Sequence, residues 1–136
     1  MKLKLMDIRQ AALTLHQIKD KSFPAKMSYA LSKNMSVLWA EYDLIEKERE
    51  KICNRYADKD ENGQPIINGN VYAMSADNDR KCNKEFEELL ETEADVDVQM
   101  IPQSVLDTCD QSDRYDILTL GEMRAIGFLI QETGKE

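Results

Sequence analysis

The fold is decided by residues 25–57, which read AKMSYALSKNMSVLWAEYDLIEKEREKICNRYA without a glycine or a proline. Apolar residues recur there at alternating spacings of four and three, the heptad pattern of a helix with one buried face. We call this face the seam; it consists of Leu31, Met35, Leu38, Tyr42, Ile45, Ile52 and Tyr56, and Arg49 interrupts it. A helix of about 33 residues is roughly 50 Å long, whereas a globule of this chain length is only about 30 Å across. The helix must therefore project from the body or lie along another helix.

The segment after the long helix predicts a β-hairpin followed by a second helix. Asn68-Gly69 is typical of a two-residue β-turn, and the flanking residues 64–67 and 70–73 predict a β-hairpin. Residues 76–93 carry apolar residues at helical spacing and predict a second helix that runs back antiparallel along the seam. Cys82 lies on the apolar stripe of this helix and is expected to be a buried, unreactive thiol.

The two ends of the chain predict a small base. Leu3 and Leu5 alternate with lysines and predict a short strand that pairs with residues 95–101, which also alternate. Residues 6–20 and 119–131 show helical spacing. The predicted fold is mainly α (α+β), with a long antiparallel helical hairpin, a β-hairpin at its tip and a small base built from both termini. The whole chain is one domain, with the hairpin in residues 24–93 and the base in residues 1–23 and 94–136.

The charge is unevenly distributed along the chain. Residues 1–35 hold seven basic and two acidic residues, the rest hold 11 basic and 24 acidic ones, and the formal net charge is −8. An acidic body disfavours direct nucleic-acid binding, because that binding depends on cations that displace counterions from phosphates. It favours solubility, or a fit to a basic groove on a protein partner. No apolar run is long enough for a membrane span, and the first residues lack the apolar core of a signal peptide, so a cytoplasmic location is expected.

Few residues suit metal binding or catalysis. The three cysteines form no C-x-x-C pair and His16 is the only histidine, which disfavours a zinc site. Asp58, Asp60 and Asn62 match the first half of a calcium loop, but Gly69 stands where the closing glutamate is needed. A polar turn is favoured there, and cation binding stays open. No nucleophile, base and orienting residue occur in a recognisable arrangement, so the sequence predicts no cofactor, no metal and no enzyme.

Seven residues are candidates for contact with a partner. Six acids follow one another along the returning helix and the strand after it, and an acidic helical surface suits a basic groove. Trp39 lies off the seam among serines, where it is either covered by the terminal helices or exposed as an interface anchor. The candidates are Glu85, Glu87, Glu88, Glu91, Asp95, Asp97 and Trp39. The seam itself is a candidate for self-association, in which Asn34 and Arg49 would set the register unless they bond within the chain.

Three short stretches carry a resemblance. They are the Pro-Ala-Lys start of the long helix at 24–26, the Asp-Glu-Asn-Gly turn at 60–63, and the step from Glu-Leu-Leu at 88–90 to Val-Asp-Val at 96–98. With the closing amphipathic helix they resemble a family of small, uncharacterised proteins from phages and prophages of Gram-positive bacteria, grouped as a domain of unknown function. The resemblance supplies no catalytic residues. It implies a phage-encoded protein that acts in an infected bacterial cell or in virion assembly.

These observations lead to three hypotheses of function. The first is a non-enzymatic phage protein whose acidic helical surface neutralises a host factor, in particular as an inhibitor of CRISPR or a similar defence system. The second is an assembly, scaffold or virion protein that oligomerises through the seam. The third is a sponge for a signalling nucleotide, with a basic pocket formed by Lys2, Lys4, Arg9 and Lys26. The first two imply a host or phage protein, or a second copy of the chain, as partner.

Overall fold

The computed structural model describes residues 1–131 and shows a mainly helical α+β protein. The long helix predicted for residues 25–57 is confirmed. The helices are α1 (Leu5–Ile18), α2 (Ala25–Tyr56), α3 (Ala76–Leu90), α4 (Gln103–Asp110) and α5 (Leu120–Ile126), after which a short helical turn spans Gly127–Leu129. The strands are β1 (Lys2–Lys4), β2 (Ile67–Asn68), β3 (Val71–Tyr72), β4 (Glu93–Asp95), β5 (Ile101–Pro102) and β6 (Ile130–Gln131).

Two shorter helices of the same chain cover α2, rather than one. α3 has 15 residues against 32 in α2, so it reaches along only the second half, where Cys82 faces Cys53. α1 runs antiparallel along the first half and a little beyond it, with His16 beside Trp39 and Arg9 bonded to Glu46. Of the residues 1–23 that the sequence assigns to the base, α1 lies along α2, because its apolar face covers the first half of the seam.

The inner face of α1 is apolar and partly small, which lets the helix lie close against α2. The buried residues of this face are Ile8, Ala11, Ala12, Leu15 and Ile18. They belong to the same core cluster as Leu38 and Ile45 of α2, which are 0% and 2% exposed. Burial of one large aliphatic side chain contributes about 1.5–3 kcal/mol, so the contact between α1 and α2 provides the main core.

A two-stranded antiparallel sheet closes the junction between α3 and α1. β1 pairs with β4 in a register that sets Leu3 opposite Ala94, and the Leu5 amide donates to the Thr92 carbonyl at 2.9 Å. The strand predicted at 95–101 is therefore misplaced: the pairing uses β4, and Leu5 is already the first residue of α1. The sheet brings the end of α3 to the start of α1, so that the two helices follow one another along α2.

The β-hairpin at the tip is present, with its turn one residue later than predicted. Asn68 pairs with Val71, so the loop residues are Gly69 and Asn70 rather than Asn68 and Gly69. Gly69 has a φ of +64°, and no residue other than glycine has a positive φ within residues 1–131. A positive φ at only the first loop residue is the pattern of a type II′ turn, which matches the twist of the strands.

The base lies at the opposite end of α2. Cys109 of α4 contacts Met27, α5 packs on α1, and β6 pairs in parallel with β5. A helix was predicted over residues 119–131, but α5 ends at Ile126, before Gly127. Glycine has a low helix propensity, and the chain after it joins β5 instead of continuing the helix.

Asn34 fixes an extended segment to α2. Its side chain is 1% exposed, its Nδ2 donates to the Gln99 carbonyl at 2.8 Å, and its Oδ1 accepts the Gln99 N–H at 2.7 Å. The side chain thus pairs with a backbone residue as a neighbouring strand would. Of the two roles considered for Asn34, the structure shows the bond within the chain.

Asn34→Ala is expected to lower the free energy of unfolding by about 2 kcal/mol, because both backbone groups of Gln99 lose their partner in a partly buried place. Urea unfolding followed by circular dichroism measures the loss. Asn83→Ala, on the exposed side of α3, is the matched control and should change stability by less than about 0.5 kcal/mol. Equal losses in the two variants would contradict the role given to Asn34.

Candidate protein-binding surface

The candidate acids begin in the last turns of α3 and continue beyond β4. Ser75 caps the start of α3 by accepting the N–H of Asn78 at 3.1 Å, and Cys82 marks the buried side of the helix. Glu87 and Glu88 lie away from that side and are exposed. The same local signals that fix the helix thus fix the direction in which these two carboxylates are presented.

The position of these acids within α3 is unfavourable for the helix itself. The carbonyl end of a helix carries a partial negative charge, so acidic side chains there reduce its stability, and basic ones increase it. The last turn of α3 contains Glu87 and Glu88 and no basic residue. Helix stabilisation therefore does not explain why these acids are present.

Three of the six candidate acids are engaged within the chain. The pairs are Arg55–Glu85, Lys4–Glu91 and the Met1 amino group with Asp95. Arg55, and after it the Tyr56 hydroxyl, hold the pKa of Glu85 below its ordinary value. All three pairs are solvent-exposed, where ion pairs contribute little to stability. Glu87, Glu88 and Asp97 form no ion pair within residues 1–131.

Trp39 lies elsewhere, in a groove between α1 and α2. Its half-buried ring stacks against His16 and Tyr42, with centroids 5.0 and 4.7 Å away. The groove has a volume of about 500 Å³, and among residues 1–131 Asp43 is the one acid that lines it, so the structure does not bring Trp39 to the acids of α3. The stack was missed from sequence, although Tyr42 lies three residues after Trp39, a spacing at which helical side chains meet.

A charged cluster joins α1, α2 and α3. Glu46 accepts hydrogen bonds from Arg9 at 3.3 Å and Arg49 at 2.8 Å, and the Arg9 guanidinium lies 5.7 Å from the centre of the Phe86 ring. Burial alone would raise the pKa of Glu46, but Arg49 and then Arg9 outweigh it, so that the pKa lies below its ordinary value. Arg49, the residue that interrupts the seam, thus bonds within the chain.

The seam contacts helices of its own chain. Its buried members are Leu31, Leu38, Ile45 and Ile52, and its half-buried members are Met35, Tyr42 and Tyr56. The main core cluster takes in the seam as far as Ile45, and a smaller cluster with Cys53 and Cys82 covers Ile52. Burial of the seam needs no second copy of the chain, so self-association would have to use another surface.

The basic residues assigned to a nucleotide pocket do not converge. Lys4 pairs with Glu91 and Arg9 with Glu46. Lys26 lies in the first turn of α2, twenty residues before Glu46, which is about 30 Å along the helix at 1.5 Å per residue. The site on which the sponge hypothesis depended is therefore not formed by these residues.

The loop that resembles half of a calcium site uses its carboxylate in the turn itself. Oδ1 of Asp60 accepts the backbone N–H groups of Asn62 at 2.8 Å and Gln64 at 3.0 Å. Across residues 1–131, no three histidine, cysteine, aspartate or glutamate side chains gather in an arrangement suited to a metal ion. Asp60 therefore stabilises the turn itself, which accounts for an acid at this position of the calcium-loop pattern.

Comparison with protein-family models, with curated proteins and with solved structures finds no match to the chain. In the described part of the chain, no helix combines the length and apolar character needed to cross a lipid bilayer. The function must therefore be argued from the residues and contacts described above.

Glu46→Gln is expected to destabilise the protein at neutral pH by about 1 kcal/mol, since an amide holds two guanidiniums less strongly than a carboxylate does. The folded-state pKa of Glu46 is depressed, so its contribution is present above the unfolded-state pKa and is lost as the pH falls through the folded-state value. Urea titrations of variant and wild type should therefore differ at neutral pH and converge in acid. Glu50→Gln, an exposed acid of α2, is the control, and a gap that stayed constant with pH would contradict the assignment.

Proposed function

We propose that this chain is a non-catalytic binding protein whose acidic surface around the end of α3 occupies a basic groove on a partner protein. The observation that carries the proposal is the pair Glu87 and Glu88. They are exposed, form no ion pair within residues 1–131 and stand at the end of a helix whose dipole disfavours them. Acids that weaken their own helix are accounted for when cations of another molecule lie opposite them.

The chemistry of the surface indicates the kind of partner. A groove that binds a nucleic-acid backbone is lined with lysine and arginine, and carboxylates form charge-assisted hydrogen bonds with those residues as phosphates do. α3 is anchored to α2 through Cys82 and, beside the acids, through Phe86, so the carboxylates are presented on an ordered helix. Asp97 is also exposed, but it lies beyond β4 in a groove that it shares with Lys33 and Val37 of α2.

The resemblance to phage proteins suggests where such a partner would be found. A phage benefits from blocking host proteins that bind and cut its nucleic acid, and such proteins have basic grooves. We therefore propose a stoichiometric inhibitor of a host nucleic-acid-binding defence protein, of the CRISPR type or similar. In this mechanism the chain competes with nucleic acid for the groove by electrostatic complementarity.

The double substitution Glu87→Lys with Glu88→Lys is expected to reduce binding of the partner at least about tenfold, because it sets like charges against each other across the interface. Partner proteins are first captured from host lysate on the immobilised wild-type chain and identified by mass spectrometry. Their affinity is then measured against salt concentration and against competing duplex DNA. Binding should weaken with salt and should be displaced by DNA.

The matched control for this experiment is Asp58→Lys with Glu61→Lys in the exposed tip loop, which changes the net charge by the same amount. It should leave the affinity nearly unchanged. Equal loss in both double variants would show non-specific attraction to an acidic protein and would contradict the proposal. Salt-insensitive binding that is lost in Trp39→Ala would transfer the interface to the aromatic groove and would contradict it as well.

Assembly remains a second candidate, through the ends of the molecule instead of the seam. Among residues 1–131, the most exposed large apolar side chains are Leu120 at the base and Val71 at the tip, with 76% and 68% of their surface accessible. Apolar side chains at opposite ends suit head-to-tail association, in which one end of a copy meets the other end of the next.

If the ends associate, the mass from light scattering rises with protein concentration, and Leu120→Asp returns it to that of a single chain. Leu44→Asp is the control, since Leu44 is exposed midway along α2 and the same charge is added there. Its mass should follow the wild type. A single-chain mass for the wild type at every concentration would remove the assembly candidate and leave the binding-protein proposal untouched.

A further inference from the structure

Two thiols face each other between α2 and α3. Sγ of Cys53 and Sγ of Cys82 are 3.8 Å apart, and both residues are buried. The sulfurs of a disulfide are about 2.05 Å apart, so they would need to approach by less than about 2 Å to form the bond. Cys109 is remote from this pair, because its Sγ contacts Met27 in the base.

The two thiols have different surroundings. Nη1 of Arg49 lies 3.9 Å from Sγ of Cys53, within reach of a hydrogen bond to the sulfur. Burial, the neighbouring Cys53 and the more distant acids Asp79 and Glu85 raise the pKa of Cys82 to about 11. We therefore assign Cys53 as the attacking thiol, because Arg49 lies beside it and the pKa of Cys82 is raised.

We call α2, together with the two helices that cover it, the arm. The half of the arm that contains the thiols is held by a small core. In the part of the chain that the structure describes, this cluster has three buried residues, Ile52, Cys53 and Cys82, with partly buried side chains around them, and α3 itself buries Cys82 alone. Segments with few buried apolar contacts open at a lower free energy than the main core. Opening of α3 from α2 would admit a small reagent to the thiols, and closing would bring them together again.

We propose that Cys53 and Cys82 form an oxidation site at which a small disulfide generates an intramolecular disulfide that fastens α3 to α2. The expectation that Cys82 is unreactive considered its burial alone and not the second thiol opposite it. Oxidation would lock the tip and the helix that carries the acidic surface. This inference stands independently of the proposed partner.

The reaction balances as two thiol–disulfide exchanges. The Cys53 thiolate attacks one sulfur of the small disulfide, whose S–S bond breaks and whose other half leaves as a thiolate and takes a proton from water. Cys82 loses its proton to solvent, attacks the Cys53 sulfur and displaces the second half. The protein loses two electrons, and the small disulfide gains them as it becomes two thiols.

The experiment treats the folded full-length chain with excess hydroxyethyl disulfide, a neutral reagent that the net charge of −8 does not repel. After an acid quench, free thiols are alkylated and the peptides are mapped by mass spectrometry. We expect a peptide in which Cys53 is linked to Cys82, with Cys109 still a thiol. The oxidised chain should have a Tm about 5–10 °C higher, because the bond closes a long loop of the unfolded chain.

Serine variants test the order of events. Cys109→Ser should react like the wild type, and Cys82→Ser should stop at a mixed disulfide on Cys53. Cys53→Ser should leave Cys82 reduced, or modified at least about tenfold more slowly. A folded wild type that keeps both thiols, while the same chain in urea is oxidised, would overturn the proposal. A folded Cys82→Ser variant that takes up no reagent would overturn Cys53 as the attacking thiol.

Discussion

The length of α2 is the constraint on which the rest of the structure depends. A helix of 32 residues with an apolar face gains its stability from the burial of that face, yet α3 has 15 residues and α1 has 14. Neither can cover α2 alone. The chain meets this requirement by placing the two in succession along α2, and the β1–β4 sheet holds the end of one against the start of the other. The short sheet is therefore as important to the arm as the seam itself.

This arrangement divides the arm into two halves of unequal stability. The half under α1 shares the main core with the base, whereas the half under α3 is held by the small cluster around Cys53 and Cys82 and reaches the main core through Phe86 and Leu90 at its end. Phe86 packs against both clusters and lies under the Arg9 guanidinium. Glu87 and Glu88 follow Phe86 directly, so the acidic surface lies at the end of α3 that packs against the main core. The thiols lie in the half that opens more easily.

Some of these features can be predicted from the sequence and others cannot, and the difference has a physical reason in each case. The stretch without glycine or proline predicts the bounds of α2 within one residue, and its heptad spacing predicts which face of the helix is buried. It does not report what covers that face, so the division of the seam between α1 and α3 was missed. The hydrogen bonds between the Asn34 side chain and the Gln99 backbone could not be predicted either, since every residue carries the same peptide group.

The candidate site likewise has features that the sequence predicts and features that it does not. The exposure of the acids on α3 follows from the helical pattern, but the pair of Lys4 with Glu91 depends on the long-range junction of β1 with β4. The facing thiols did have a signal. Cys53 lies in the last turn of α2 and Cys82 in the first half of α3, and an antiparallel helix pair brings the end of the first helix beside the start of the second.

The two ends of α3 show how an acid that serves the fold differs from one that does not. Asp77 lies in the first turn, where the helix dipole favours an anion, and Lys81 followed by Arg80 hold its pKa below the ordinary value. Glu87 and Glu88 are acids of the same helix, but they stand at the end that the dipole disfavours and form no ion pair within residues 1–131. Asp77, Glu87 and Glu88 contribute equally to the net charge. Position relative to the dipole and to the ion pairs separates them, and on that basis we propose the unpaired end of α3, and not the acidic composition as a whole, as the surface that binds a partner.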